Sequence, residues 1–151
     1  MITNCGKLFA PIEGPIIYFI VAYDVLYIGE TQHHPVERWN AHLSPKGSFR
    51  TNLLKKGDPE IDYFGDLRLF AYYCQTITQN FPKVQWKTVT QAVEHEAHGY
   101  VLQYPSRIGK YYNVISDTEK TAPSRFKHWD LAKRIAGEIL QDLAIAMNSN
   151  S

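Results

Sequence analysis

With 151 residues, 44% of them hydrophobic, the chain has the length of one domain and enough apolar side chains to form a core. Its formal net charge of +1 falls short of the strongly basic balance that would by itself indicate nucleic-acid binding. No stretch approaches the roughly 20 apolar residues that a membrane span needs. We therefore expect a single domain over residues 1–151 with no membrane partner.

The cysteines and the N-terminus indicate the compartment. Cys5 and Cys74 are too few and too far apart for a disulfide framework or a four-ligand zinc site, so we expect two ordinary thiols. The first residues lack the basic-then-apolar order of a signal peptide. This predicts a cytoplasmic protein that is not secreted.

A β-hairpin is predicted near the start of the chain. Ile16 to Ala22 and Val25 to Thr31 are rich in Ile, Val, Tyr and Phe, and only Tyr23 and Asp24 separate them. Both faces of the hairpin are apolar. We therefore expect a sheet that is covered on two sides.

A two-residue turn also fixes which side chains of the hairpin meet. Tyr18 then faces Gly29, and Tyr18 and Tyr27 lie on one face as diagonal neighbours. Gly29 leaves space beside the Tyr18 phenol. The pattern is compatible with an aromatic packing cluster and with a pair of active-site phenols.

A short helix is predicted from Pro35 to about Leu43, since proline suits the first helical turn. Its expected buried stripe consists of Val36, Trp39 and Leu43. Arg38 and His42 are four residues apart and share a different face. Such a pair can bind a phosphate, hold a water molecule or face solvent.

Basic residues concentrate directly after the hairpin. Residues 32–56 contain five basic residues and one acidic residue, a local excess of +4. The basic residues are Arg38, Lys46, Arg50, Lys55 and Lys56. The segment is therefore either a nucleic-acid contact or a solvated loop.

The remaining elements complete a small α/β domain. A third strand is predicted from Leu67 to Cys74. Apolar residues at helical spacing predict a helix over Thr88 to Tyr104 and an amphipathic helix over residues 125–147. The core of the domain is expected over residues 15–115. Short strands and surrounding helices indicate a sheet flanked by helices.

The second helix contains the sequence VEHEAH, Val93 to His98. A zincin helix needs H-E-x-x-H, whereas His95 and His98 are only three residues apart, which argues against a protease-type zinc site. Glu94 and Glu96 lie about 160° apart around the helix, so only one of them can readily face a given site. A single carboxylate suits Mg²⁺ that is bound together with a substrate phosphate.

These residues in this order resemble the GIY-YIG nuclease family. The resemblance rests on IIY (Ile16 to Tyr18), YIG (Tyr27 to Gly29), ERWNAH (Glu37 to His42), a helix with a glutamate, and YYNV (Tyr111 to Val114). It implies an α+β fold with a small three-stranded antiparallel sheet flanked by helices. It also implies a DNA endonuclease that depends on Mg²⁺ or Mn²⁺.

The resemblance implies roles for individual side chains. Tyr18 would accept or relay the proton of the attacking water, beside Tyr27, while Arg38 holds the phosphate and His42 assists proton transfer. The metal ligand would be Glu96, because the second glutamate of an E-x-E segment takes this role in the intron nucleases, with Glu94 as the alternative. The supporting residues would be Gly29 and Asn113, and the DNA contacts would be Lys46, Arg50, Lys55 and Lys56.

The chain departs from the family pattern in three places. Ile16 replaces the first glycine of the motif, Glu30 stands where repair enzymes carry lysine, and the Gly29 to Arg38 interval is one residue longer. Two alternatives to a nuclease therefore stay open. They are a nucleic-acid-binding module that does not cut, and a structural or protein-interaction domain that uses its last helix as a dimer face. A homodimer or a partner protein could also supply specificity.

Overall fold

A mixed five-stranded sheet lies at the centre of the computed structural model, which describes residues 2–4, 13–109, 111–117 and 122–148. The strands are β1 (Ile2–Asn4), β2 (Glu13–Ala22), β3 (Val25–His33), β4 (Leu67–Tyr73) and β5 (Asn113–Val114). Their order across the sheet is β1-β4-β2-β3-β5. β2 is antiparallel to β3 and β4, whereas β1 is parallel to β4 and β5 is parallel to β3.

The predicted α/β class is thus confirmed, whereas the prediction of a purely antiparallel three-stranded sheet is wrong. The three predicted strands form the antiparallel centre, and two strands of three and two residues extend it in parallel at the edges. Strands this short contain no readable periodicity, so the sequence pattern did not reveal them.

The hairpin has the predicted turn and register. Tyr23 and Asp24 connect the strands, Ala22 pairs with Val25, and Tyr18 pairs with Gly29. Tyr23 has a φ of 51°, the left-handed conformation that a tight two-residue turn requires. Tyr23 is therefore a turn residue and is not one of the two tyrosines, Tyr18 and Tyr27, that share a face of the hairpin.

Within the described residues, five α-helices surround the sheet. They are α1 (Pro35–Leu43), α2 (Ser48–Lys56), α3 (Gln75–Asn80), α4 (Trp86–Gln103) and α5 (Trp129–Asn148). Short 3₁₀ helices lie at Tyr63–Asp66, Lys83–Gln85 and Pro105–Ile108. Helix α2 lies in the basic segment, for which the sequence is also compatible with a solvated loop. Helix α5 begins later than predicted because Arg125 has a φ of 67°, which is not a helical value. None of the helices in the described ranges is long and apolar enough to cross a membrane.

Both faces of the sheet are buried, as the hairpin sequence predicts. Alternation along β2 directs Ile17 and Phe19 into a core with α4 and α5, and directs Tyr18 and Ile20 into a second core with α1 and α2. Cys74 is a free buried thiol in the first core. Cys5 lies outside the described residues.

Candidate active site

The centre of the candidate site is the Tyr18 phenol on β2. The Tyr18 side chain is 1% exposed and lies across the sheet from Gly29. A Cβ atom on Gly29 would overlap the Tyr18 ring, including its hydroxyl. Glycine is therefore required at this position because it alone leaves room for the phenol.

Helix α1 brings His42 to this phenol. The Tyr18 oxygen lies 2.6 Å from His42 Nε2, and the His42 ring centre lies 4.6 Å from that of Tyr27. Burial, reinforced by the Arg38 charge, lowers the pKa of His42 to about 4. His42 is therefore neutral near pH 7, and with its proton on Nδ1 it accepts the hydrogen bond that the Tyr18 hydroxyl donates.

The buried face of α1 differs from the predicted one. Val36 is 48% exposed, whereas His42 is only 3% exposed and belongs to the buried face with Pro35 and Trp39. The helix is rotated because the hydrogen bond with Tyr18 offsets the cost of burying an imidazole. Arg38 and His42 still reach the same site, as their spacing predicts.

Arg38 adds a cation next to the phenols. A hydrogen bond with Tyr18 raises the pKa of Arg38, although partial burial opposes the change. Burial raises the pKa of Tyr18 well above its usual range, and Arg38 counteracts that rise only in part. Tyr18 is therefore a neutral phenol at physiological pH, while the exposed Arg38 side chain is open to solvent.

The carboxyl group that acts electrostatically on both phenols belongs to Glu94. Glu94 is 6% exposed. Burial, together with the charge of Glu30, raises the pKa of Glu94 to about 8, and the charge of Arg38 partly opposes this rise. Glu96 is only half-buried and lies about 160° around the same helix. Of the two glutamates, Glu94 is thus the one that acts electrostatically on Tyr18 and Tyr27, whereas the metal ligand, Glu96 or its alternative Glu94, stays a prediction.

Glu30 lies beside Glu94, although the sequence suggested only that it departs from a family pattern. Burial raises the pKa of Glu30, which is half-buried. Gln32 Nε2 donates to Glu30 Oε2 at 3.4 Å and to Thr90 Oγ1 at 3.1 Å, which connects β3 to α4. The site therefore contains two neighbouring carboxyl groups.

The four predicted DNA contacts differ in their surroundings. Arg50 donates from Nε to the Leu43 carbonyl at 2.7 Å and stacks on Phe64, so its guanidinium is already engaged. Lys56 forms a salt bridge of 3.0 Å with Asp117. Lys55 is exposed, as is Lys46.

Of these four residues, Lys46 alone lines the cleft that Tyr27 also lines. The cleft has a volume of about 280 Å³. The other lining residues are Ser48, Thr51, Asn52 and Asp117. A polar cleft with a lysine on one wall therefore opens beside the Tyr27 phenol.

Asn113 lies away from the phenol pair. It pairs with Val25, four residues along β3 from Gly29, and its Nδ2 donates to the Lys56 carbonyl at 3.0 Å. Its observed contact therefore supports the end of α2. The other departures cause little distortion: Ile16 is a buried core residue, and the extra length before Arg38 is taken up by β3 and by His34, which caps α1.

The donor set at the site suits one hard cation with few protein ligands. In the described ranges, no group of three or more His, Cys, Asp or Glu side chains could hold a metal. No salt bridge neutralises Glu94 within those ranges, and its carboxyl repels that of Glu30. A carboxylate in this setting fits Mg²⁺, which usually keeps several waters and binds through one or two carboxylates and a substrate phosphate.

Comparisons with protein-family models, with curated proteins and with solved structures found no significant match. Function must therefore be inferred from the side chains themselves. A hydrogen-bonded phenol and imidazole, a guanidinium and a buried carboxyl group can together bind a phosphate and move a proton.

Proposed function

We propose that the chain is a Mg²⁺-dependent DNA endonuclease of the GIY-YIG type, which hydrolyses phosphodiester bonds. The observation that carries the proposal is the 2.6 Å contact between Tyr18 and His42, with Arg38 and Glu94 as electrostatic neighbours. These groups come from a strand, a short helix and a long helix that are distant in sequence. Packing alone does not explain why a cation and a carboxyl group both act electrostatically on a buried phenol.

The phenol and the imidazole form a proton path. The raised pKa of Tyr18 disfavours a stable tyrosinate, so Tyr18 acts as a relay. It passes its own proton to His42 Nε2 while it takes one from the attacking water. Neutral His42 has the free lone pair that this path requires.

Arg38 binds the scissile phosphate and prepares His42 for its role. Its exposed guanidinium can pair with phosphate oxygens and stabilise the charge that develops on them. The same pairing neutralises the charge that helps to lower the pKa of His42. Substrate binding should therefore make His42 a stronger base when it is needed.

Glu94 would hold the cation, Mg²⁺ or Mn²⁺, and Glu30 would add negative charge nearby. When bound, the cation supplies electrostatic stabilisation of the leaving oxygen. Glu94 must lose its proton to bind the metal, and the raised pKa makes that step pH-dependent. Metal affinity should accordingly increase as the pH approaches 8.

DNA is the proposed partner, and the cytoplasm the proposed compartment. The cleft beside Tyr27 can receive the backbone next to the scissile phosphate, with Lys46 on its wall. Lys55 is a second exposed cation on α2. Binding through such contacts weakens as the salt concentration rises. A homodimer or a specificity partner would have to use other surfaces.

Plasmid cleavage tests the proposal. Supercoiled plasmids that together contain many sites and branched structures are incubated with the protein in Mg²⁺, Mn²⁺ or EDTA, beside Arg38→Ala, Glu94→Gln and Glu96→Gln. We expect cleavage that requires the metal, is lost in the first two variants and persists in Glu96→Gln. Cleavage in EDTA, or in both Arg38→Ala and Glu94→Gln, would refute the mechanism. Salt-sensitive binding without cleavage would instead support the non-catalytic module.

A further inference from the structure

A second buried pair, His98 and Ser116, lies outside the proposed chemistry. His98 on α4 is 4% exposed, and Ser116, two residues after β5, is 8% exposed. His98 Nε2 lies 2.6 Å from Ser116 Oγ. Neither residue lines the cleft beside Tyr27, and both are engaged in hydrogen bonds inside the fold, so a role in the arrangement of other groups has to be considered.

The pair belongs to a chain of hydrogen bonds that runs from β3 to α4. The Ile28 N–H donates to Ser116 Oγ at 3.0 Å, and His98 Nδ1 lies 3.1 Å from the Glu94 carbonyl oxygen. A carbonyl can only accept, so Nδ1 carries the proton and Nε2 accepts from the Ser116 hydroxyl. One neutral tautomer of His98 therefore satisfies every bond, and aligned bonds of this kind strengthen one another.

The chain begins where backbone pairing of the sheet edge stops. β5 pairs with β3 only at Val25 and Leu26, and Ile115 N adds one bond to the Leu26 carbonyl. Beyond that point Ser116 Oγ replaces the backbone partner of Ile28. Ile28 lies between Tyr27 and Gly29, so its peptide belongs to the part of β3 that carries the candidate site.

We propose that His98 and Ser116 are positioning residues that fix Glu94 of α4 against the Tyr27–Gly29 segment of β3. The effect of this pair on catalysis rests on the proposed nuclease function. The bonds connect the peptide of Glu94 to the strand that holds Tyr27. Without them, α4 keeps its apolar packing and the bond between Gln32 and Thr90, one turn before Glu94, but loses the second polar contact with β3, one turn after Glu94, which fixes the height of the carboxyl along the strand.

Ser116→Ala tests the proposal beside two matched variants. Ser116→Thr keeps the hydroxyl, and Val101→Ala removes buried methyl groups from α4 without touching the hydrogen bonds. We expect Ser116→Ala to weaken Mn²⁺ binding about tenfold in the absence of DNA, measured by electron paramagnetic resonance. We also expect kcat to fall about tenfold with KM for DNA unchanged, while Ser116→Thr retains both. Equal Mn²⁺ affinity and kcat in Ser116→Ala and Val101→Ala would overturn the positioning role.

Nuclear magnetic resonance separates failure of the pair from failure of the nuclease. In the unmodified protein, we expect the Nδ1-protonated tautomer of His98 and slow hydrogen exchange at the Ile28 amide, with faster exchange in Ser116→Ala. A proton on Nε2, or an Ile28 amide that Ser116→Ala leaves unchanged, would refute the pair whether or not the protein cuts DNA. A protein with the expected tautomer and exchange but neither cleavage nor Mn²⁺ binding would refute the nuclease and retain the hydrogen-bonded pair.

Discussion

Replacing Glu94 by glutamine should make the metal-free protein more stable at neutral pH. The Glu94 carboxyl is buried, and its burial together with Glu30 raises its pKa from 4.5 to about 8. Glutamine has nearly the same size and polarity but cannot ionise. The substitution therefore removes a group that the folded state accommodates best in its protonated form.

The magnitude follows from proton linkage. Between pH 4.5 and about 8 the folded state binds the Glu94 proton and the unfolded state does not. The stability contributed by the protonated carboxyl is therefore complete below pH 4.5 and is lost as the pH rises toward 8. At about 1.4 kcal/mol for each pH unit, the loss between pH 4.5 and 7 is roughly 3 kcal/mol. Glu94→Gln should be more stable than the unmodified protein by this amount at pH 7, and nearly equal to it at pH 4.5.

Urea unfolding in EDTA, followed by tryptophan fluorescence between pH 5 and 8, measures this difference. Glu96→Gln is the matched control, because Glu96 lies on another side of the same helix. We expect the control to follow the unmodified protein at each pH. If Glu94→Gln and Glu96→Gln showed the same pH dependence, Glu94 would not be the perturbed carboxyl group and the reasoning would fail.

Four further predictions concern the groups around this carboxyl. Gly29→Ala should destabilise the fold by about 1–3 kcal/mol because its methyl group overlaps the Tyr18 ring, and an unchanged melting temperature would contradict this. Tyr18→Phe should retain the fold, checked by circular dichroism, and slow cleavage by about 100-fold or more. Burial lowers the pKa of His42 and of His98 from 6.5 to about 4. In urea unfolding of Glu94→Gln, the stability that these two neutral histidines contribute should therefore be fully present above pH 6.5 and should be lost as the pH falls toward 4. Lys46→Ala should reduce the slope of log affinity against log salt by about 0.9, and an unchanged slope would remove Lys46 from the DNA contacts.

The hairpin and the register of Tyr18 could be predicted because local chemistry determines both. Residues of high β propensity surround a two-residue turn, and a fixed turn length assigns each cross-strand pair. The prediction for the buried face of α1 is confirmed at Trp39 and Leu43 but wrong at Val36, which is exposed, and it omits His42, which is buried. The hydrogen bond with Tyr18, 24 residues away in sequence, supplies the polar partner that a buried imidazole needs.

The choice between Glu94 and Glu96 required tertiary information. Helical geometry shows that the two side chains diverge, but the packing of α4 against the sheet decides which one is buried and acts electrostatically on the phenols. The same limit applies to Ser116, whose hydroxyl pairs with a peptide 88 residues earlier in the chain. Contacts at such separations produce no local periodicity, so the hydrogen bonds that organise the site were not visible in the sequence.

Because the sheet separates the two cores, the proposed nuclease activity should be sensitive to partial unfolding. Tyr18 and His42 depend on the core beneath α1 and α2, whereas Glu94 depends on the core beneath α4 and α5. If either helical layer detached while the sheet stayed intact, the site would lose one half of its groups although most of the molecule remained folded. Loss of activity on warming should therefore precede global melting, and the gap between the two temperatures would measure how strongly the layers cooperate.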